Sequence, residues 1–283
     1  MRDTLADLPG VLSYNGLKLL PPAAASATGA WFYGLVGRFS PGRSRRVRAN
    51  VARIRPDLDP DAAVRRYWRN KGRLMSEFSV LRRIPPAGRL QVEGAEHLLD
   101  ARSKGPVIIL GLHLGNWELL LHVVPRLGIP ASTFYMPPDS RAQHRIARRV
   151  RLSLGTGLID PGVKGVRPAL RLLADDSQAV MIFGDEGFGG RIMAPFFGRP
   201  VHLAGNLAIA VRLARHSGAT IVPAFVERTD GCRFVCRFLA PVAVTTHGDP
   251  ADDLPADVAR LNRVVEPLIQ DRIEQWYFLD HRL

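Results

Sequence analysis

Cysteine is nearly absent from this chain: Cys232 and Cys236 are the only two in 283 residues. Both lie in one alternating apolar run that reads as a strand, so their side chains share a face. A disulfide along a single strand has poor geometry, and a zinc site needs more than two ligands. A disulfide framework is therefore excluded, and two reduced thiols in a cytosolic compartment are expected. A long unbroken apolar run is also missing. No charge occurs between Lys18 and Arg38, but Pro21, Pro22, Gly29 and Gly34 interrupt that stretch, and alanine and serine dilute it. A segment lying in the membrane interface, with Trp31 and Tyr33 near the headgroups, suits it better than a spanning helix. A buried N-terminal helix is the competing expectation. Asp3 and Asp7 stand where a secretory signal has its basic start and apolar run.

Several motifs of hydrolases and cofactor enzymes are missing as well. No Gly-x-Ser-x-Gly occurs, which argues against a serine hydrolase elbow. No His-Glu-x-x-His occurs, and His113 and His122 are too far apart on a helix to share a metal. Gly184-Asp-Glu-Gly-Phe-Gly-Gly190 does not give the spacing of a dinucleotide loop.

Positive charge is what the chain has in excess. The net charge is +13 and the pI is near 10.8, almost all of it from arginine. An anionic partner follows: nucleic acid, an acidic membrane surface or a phosphorylated substrate. Residues 41–55 carry six arginines, with Val47, Val51 and Ile54 forming an apolar stripe beneath them. Such a helix suits anionic headgroups. Arg141, Arg145, Arg148 and Arg149 share a second helix face, with Arg151 nearby; it reads as a solvated face, or as a dock for anionic lipid or an acidic carrier protein.

From about Arg89 the pattern changes to alternating strands and helices, which predicts an α/β fold with a mostly parallel central sheet flanked by helices. The expected strands are 90–93, 106–112, 131–136, 157–160, 178–183, 220–227 and 232–239. Helices are expected at 94–101, 116–127, 141–154, 166–173, 205–216 and 257–276. Residues 1–88 read as a basic helical extension that associates with a membrane, and 89–283 as the α/β domain.

His113 follows the most buried-looking strand, where the carboxyl ends of parallel strands open into ligand crevices. Gly115 and Asn116 then start a helix, whose amides offer to stabilise a developing oxyanion. Glu118 falls in its first turn. A carboxylate on one imidazole nitrogen fixes the tautomer and leaves the other nitrogen free to take a proton. The bland alternative is a capping Asn116 and a solvated Glu118 beside a structural histidine.

The surrounding blocks weigh against the bland alternative. Glu93-Gly-Ala-Glu-His97, Pro106-Val-Ile-Ile-Leu-Gly-Leu-His-Leu-Gly-Asn-Trp-Glu118 and Gly165-Val-Arg167 occur in order. Phe183-Gly-Asp-Glu186, Ala194-Pro-Phe-Phe-Gly198 and Gly218-Ala-Thr-Ile-Val-Pro223 follow them. Together they resemble the bacterial lipid A late acyltransferases, with their phosphatidylinositol mannoside acyltransferase relatives. The resemblance covers residues 90–239 well; the arginine-rich preface and the Glu274-Gln-Trp276 tail are covered more faintly.

The resemblance implies His113 as general base and Glu118 as its acidic partner. It further implies Arg167, Asp185 and the Glu186 position as substrate-binding, with arginine suited to an anionic group. Asn116 at the helix start and Arg191, toward phosphate or sulfate on the acceptor, are added as substrate-binding candidates by the mechanism itself. Glu186 departs from the usual glutamine and adds a charge where an amide is common. The tail departs too, with Asp280 and one arginine fewer. The implied reaction moves an acyl chain from an acyl carrier protein or coenzyme A thioester to a hydroxyl of a lipid A-like or other lipid-linked acceptor. No metal or redox cofactor is implied. The expected setting is the cytoplasmic face of a bacterial inner membrane, peripheral or monotopic. The rival readings are a catalytically silent lipid-binding relative and a nucleic-acid binder; the latter lacks any recognisable reading motif, and no nucleic-acid partner is expected.

Overall fold

The structure is a computed structural model that describes residues 7–175, 178–188, 190–244 and 250–283. Its centre is β2 (Val107–Gly111), whose five residues are all buried. Val107 and Ile109 pack into one apolar cluster and Ile108 and Leu110 into another. A continuous apolar run is what a strand covered on both faces requires. The other strands of the main sheet are β1 (Leu90–Glu93), β3 (Ala131–Phe134), β4 (Thr156–Ile159), β5 (Ala179–Phe183), β8 (Thr220–Asp230) and β9 (Arg233–Phe238). Their order is β1-β9-β8-β2-β5-β3-β4. Every pairing is parallel except β8 with β9. A two-stranded antiparallel hairpin, β6 (Gly187–Phe188) and β7 (Arg191–Ile192), follows β5.

The fold is α/β, as the alternating pattern predicts. One face of the sheet carries α5 (Ala95–Lys104), α6 (Leu120–Arg126) and α7 (Arg141–Ser153). The other carries α8 (Val163–Ala174), α9 (Asn206–Ser217) and α10 (Pro250–Asp271). Cys232 and Cys236 are free and buried, and burial pushes the Cys232 thiol up to about 12. Neither is a ready nucleophile.

Among the described residues four α-helices precede the sheet: α1 (Leu8–Leu17), α2 (Pro22–Arg38), α3 (Pro41–Ile54) and α4 (Pro60–Glu77). Proline stands at the first or second position of each, where its missing N–H is harmless. Among the described residues no helix is long and apolar enough to cross a membrane. Glycine brings α2 and α4 together. A Cβ on Gly29 would lie 2.2 Å from the Gly72 carbonyl, and one on Gly72 would lie 2.1 Å from the Gly29 carbonyl.

These helices also close onto the core. Val47 and Val51 are fully buried in the same cluster as α9 and α10, so the apolar stripe of α3 faces the protein interior. Tyr33 packs against that cluster, while Trp31 is 67% exposed. The C-terminal segment is held from the same side. Asn50 donates to the Leu279 and His281 carbonyls, Tyr67 to that of Tyr277, and Asn70 to that of Glu274.

Candidate active site

β2 and β5 run parallel with Gly111 opposite Phe183. Two residues further along each strand, the same register sets His113 beside Asp185. The Asp185 Oδ1 lies 2.8 Å from His113 Nδ1. The His113 backbone N–H donates to Oδ2 at 2.8 Å, and the indole N–H of Trp276 donates to the same oxygen at 2.8 Å. Asp185 is fully buried, and the His113 side chain is 17% exposed. A carboxylate facing Nδ1 requires the proton there, which leaves a lone pair on Nε2. Nε2 has no hydrogen-bond partner among the described residues. The ring is fixed by three aromatics: Phe183, Trp117 and Phe278, at centroid distances of 4.4, 4.8 and 4.9 Å.

Glu118 is not the residue that orients His113. Its carboxylate is gripped by Arg151 through Nε at 3.0 Å and through a second, shorter contact from Nη2. The cause is local. Residues Trp117–Leu119 form a 3₁₀ turn ahead of a seven-residue α6, in place of one long helix from Asn116. Successive side chains then diverge by about a third of a turn. Trp117 takes the place against His113, and Glu118 is turned toward α7.

Asn116 is likewise turned away from His113, toward α4. It is fully buried, and its amide donates to Glu77 Oε2 at 2.9 Å. Glu77 is itself buried, accepting from Ser26 and held by two guanidinium nitrogens of Arg228. The Gly115 N–H, expected to face an oxyanion, donates instead to the Gln275 carbonyl at 3.3 Å. Gly115 is still required: its φ is +55°, and a Cβ there would lie 2.4 Å from the Val226 carbonyl.

Glu186 follows Asp185 and turns the other way, accepting the Asn206 N–H at the start of α9 at 2.6 Å. Burial pushes its carboxyl up to about 8, against the lowering effect of that amide. At neutral pH the side chain is mostly a neutral acid, which resolves the apparent departure from glutamine. The expected extra charge is largely cancelled by burial.

Arg167 is exposed in the first turns of α8, after the edge strand β4. Three strand spacings separate that edge from β2, roughly 14 Å. Arg167 is thus on the carboxyl side of the sheet and outside contact with His113. Arg191 is exposed on β7 and bridges Arg282 through its backbone. The turn at Phe196-Phe197-Gly198 packs on Trp276, with ring centroids at 6.4 and 5.7 Å. Phe197 adopts φ +59°, its N–H held by Glu266 at 2.9 Å. Among the described residues no group of three or more His, Cys, Asp or Glu is placed to hold a metal ion.

A family model described as bacterial lipid A biosynthesis acyltransferase matches residues 6–283. The chain belongs to that family. It is also 29% identical over 200 residues to the lipid A biosynthesis lauroyltransferase of Escherichia coli (strain K12). The match covers 68% of this chain and 61% of the relative, so the chain spans less than two thirds of that protein's length.

For a member of the lipid A acyltransferase family, the residue missed from sequence is Trp276. Its signal is an indole N–H inside the otherwise apolar Trp276-Tyr-Phe-Leu279 run. A buried tryptophan needs an acceptor, and Asp185 supplies it. The segment also threads the site: the Tyr277 N–H donates to the His113 carbonyl at 3.0 Å.

Proposed function

We propose that this chain transfers a fatty acyl group from an acyl carrier protein or coenzyme A thioester to a hydroxyl of a lipid A-like or other lipid-linked acceptor. His113 is the general base. Asp185, not Glu118, holds its tautomer, and Glu118 anchors the turn that follows. The observation that carries this reading is the Asp185 carboxylate on Nδ1 with Nε2 left open.

Nε2 removes the hydroxyl proton as the acceptor oxygen attacks the thioester carbonyl. The tetrahedral intermediate collapses, the C–S bond breaks, and the proton returns from the imidazolium to the leaving sulfur. Asp185 offsets the positive charge on the ring while the proton resides there. A thiol leaves far more easily than an alkoxide, so one base suffices. Direct attack is favoured over an acyl-enzyme, because no serine, threonine or cysteine hydrogen-bonds to His113 among the described residues. Arg167 and Arg191, exposed on the carboxyl side of the sheet, suit anionic groups on a large acceptor. Such an acceptor places the enzyme at a membrane surface, peripherally, on the inner membrane's cytoplasmic face where thioester donors are available.

The test supplies acyl thioester and lipid acceptor, then measures thiol release and acylated lipid. Wild type forms both, and His113→Ala forms neither. Turnover surviving in His113→Ala refutes the mechanism. Equal thiol release without acceptor makes the protein a thioesterase, and no release from any donor makes it a silent lipid binder.

A further inference from the structure

The outer side of the N-terminal helices plays no part in the chemistry above, yet it is not an ordinary surface. Beside the seam where Gly29 meets Gly72 lies a cavity of about 810 Å³. Ala30, Trp31, Gly34 and Leu35 of α2 form its floor, and six arginines line it: Arg38, Arg48, Arg65, Arg66, Arg69 and Arg73. Among the described residues one acidic side chain, Asp61, lines the same cavity. Arg48 is paired with Asp61, Arg66 with Glu274, and Arg73 donates to Ser26. Arg38, Arg65 and Arg69 are exposed and have no carboxylate partner among the described residues. Positive charge is crowded here: Arg73 is lowered by burial first and then by Arg228 and Arg69, against the raising effects of Glu77 and Cys232.

Apolar exposure is concentrated in the same part of the chain. Leu8, Leu12, Leu19, Trp31, Phe32 and Phe39 are all more than half exposed. A free phosphate or a nucleic acid would use the arginines but not the apolar floor or these side chains. A lipid–water interface uses both, with the indole at headgroup depth and guanidinium groups on the phosphates. Trp31, Leu35 and Arg38 fall at i, i+4 and i+7, so α2 presents apolar and cationic groups on one line.

We infer that the groove between α2 and α4 seats the headgroup phosphate and first acyl segment of an anionic phospholipid, docking this face on the bilayer. The inference does not depend on turnover, so vesicle binding and acyl transfer are lost or kept as separate results.

The experiment is flotation of the full chain with phosphatidylglycerol–phosphatidylcholine vesicles and with phosphatidylcholine vesicles. Wild type floats with the anionic vesicles only. Each exposed arginine near an anionic surface is worth about fivefold in binding, so Arg38→Gln/Arg65→Gln/Arg69→Gln loses about a hundredfold. Removing the same charge from α7, as Arg141→Gln/Arg148→Gln/Arg149→Gln, leaves binding close to wild type. Because all six side chains are exposed, both variants keep the wild-type circular dichroism and melting temperature. Brominated phosphatidylglycerol quenches the tryptophan emission of wild type, and Trp31→Phe removes that quenching. The proposal is overturned if wild type ignores anionic vesicles, or if the groove variant binds as wild type. It is equally overturned by matching losses in the α7 variant, or by quenching that survives in Trp31→Phe.

Discussion

Replacing Asp185 by asparagine separates the two carboxylates that follow from sequence and structure. Asp185 Oδ2 accepts two N–H groups, from the His113 backbone and Trp276, so the amide oxygen must stay there. The amide NH₂ then faces His113 Nδ1, where the Asp185 Oδ1 lies at 2.8 Å. Nδ1 must become the acceptor, the proton moves to Nε2, and the ring presents a donor where a base is required. Loss of the correct tautomer lowers kcat by about 10³–10⁴, equivalent to about 4–5.5 kcal/mol of barrier. Weakening two bonds to a charged acceptor costs about 1–3 kcal/mol of stability. Glu118→Ala gives the opposite pattern. It strands Arg151, whose side chain is 18% exposed, and breaking such a pair costs about 3–5 kcal/mol. The assay is thiol release with lipid acceptor alongside a thermal melt of each variant. Turnover near wild type in Asp185→Asn would falsify the assignment. So would a Glu118→Ala protein that melts like wild type but has lost its turnover, because Glu118 would then be the orienting carboxylate.

Glu186 makes stability depend on pH. Its folded carboxyl sits at about 8 against an ordinary 4.5. Below 4.5 both states are protonated; between 4.5 and 8 the unfolded chain ionises first, so the wild type loses stability as pH rises through that window. The total is on the order of a few kcal/mol, and Glu186→Gln removes it; melting curves of the two proteins that stay parallel from pH 4 to 9 refute this. Gly72→Ala puts a methyl carbon 2.1 Å from a backbone carbonyl that no rotamer can relieve. The expected penalty is about 1–3 kcal/mol, read as a lower urea midpoint with α2 opened to protease. Trp276→Phe leaves Asp185 one donor short; kcat falls about 10–100-fold with KM unchanged, whereas a purely structural role would lower Tm without that split.

The fold was legible wherever burial leaves a pattern. The run from Val107 to Gly111 reads as a strand covered on both faces, and its end places His113 at the carboxyl edge. Asp185 could be named only through family resemblance, because its adjacency to His113 is set by the register between β2 and β5 across 72 residues. Periodicity is blind to such pairings. Glu118 misled for the complementary reason. Its spacing from His113 is local and suggestive, but a 3₁₀ turn and the distant Arg151 decide where it points. The α3 stripe was a true amphipathic signal, and its burial against α9 and α10 needed the structure, since a sequence shows that a face is apolar but not what covers it.

The N-terminal helices are better understood as part of the active-site frame than as an appendage. Two groups of contacts run from them to His113. Glu77 binds Asn116, three residues beyond the histidine, and ties it to Ser26 and Arg228. Asn50, Tyr67, Asn70 and Lys71 grip the segment from Glu274 to His281. Against the burial that would raise it, bonds from His281 and Lys71 hold Asp280 well below the usual carboxylate range, so its ion pair with Lys71 persists at neutral pH. That segment delivers Trp276 to Asp185 and Phe278 to the His113 ring. A fragment of residues 89–283 would keep the sheet's strands, yet lose Asn50, Tyr67, Asn70 and Lys71 and expose the Arg228 guanidinium now paired with Glu77. It is therefore expected to bind a hydrophobic dye, lose its near-ultraviolet dichroism and show no turnover. A fragment with native dichroism and turnover comparable to the full chain would show that the sheet alone positions the His113–Asp185 pair.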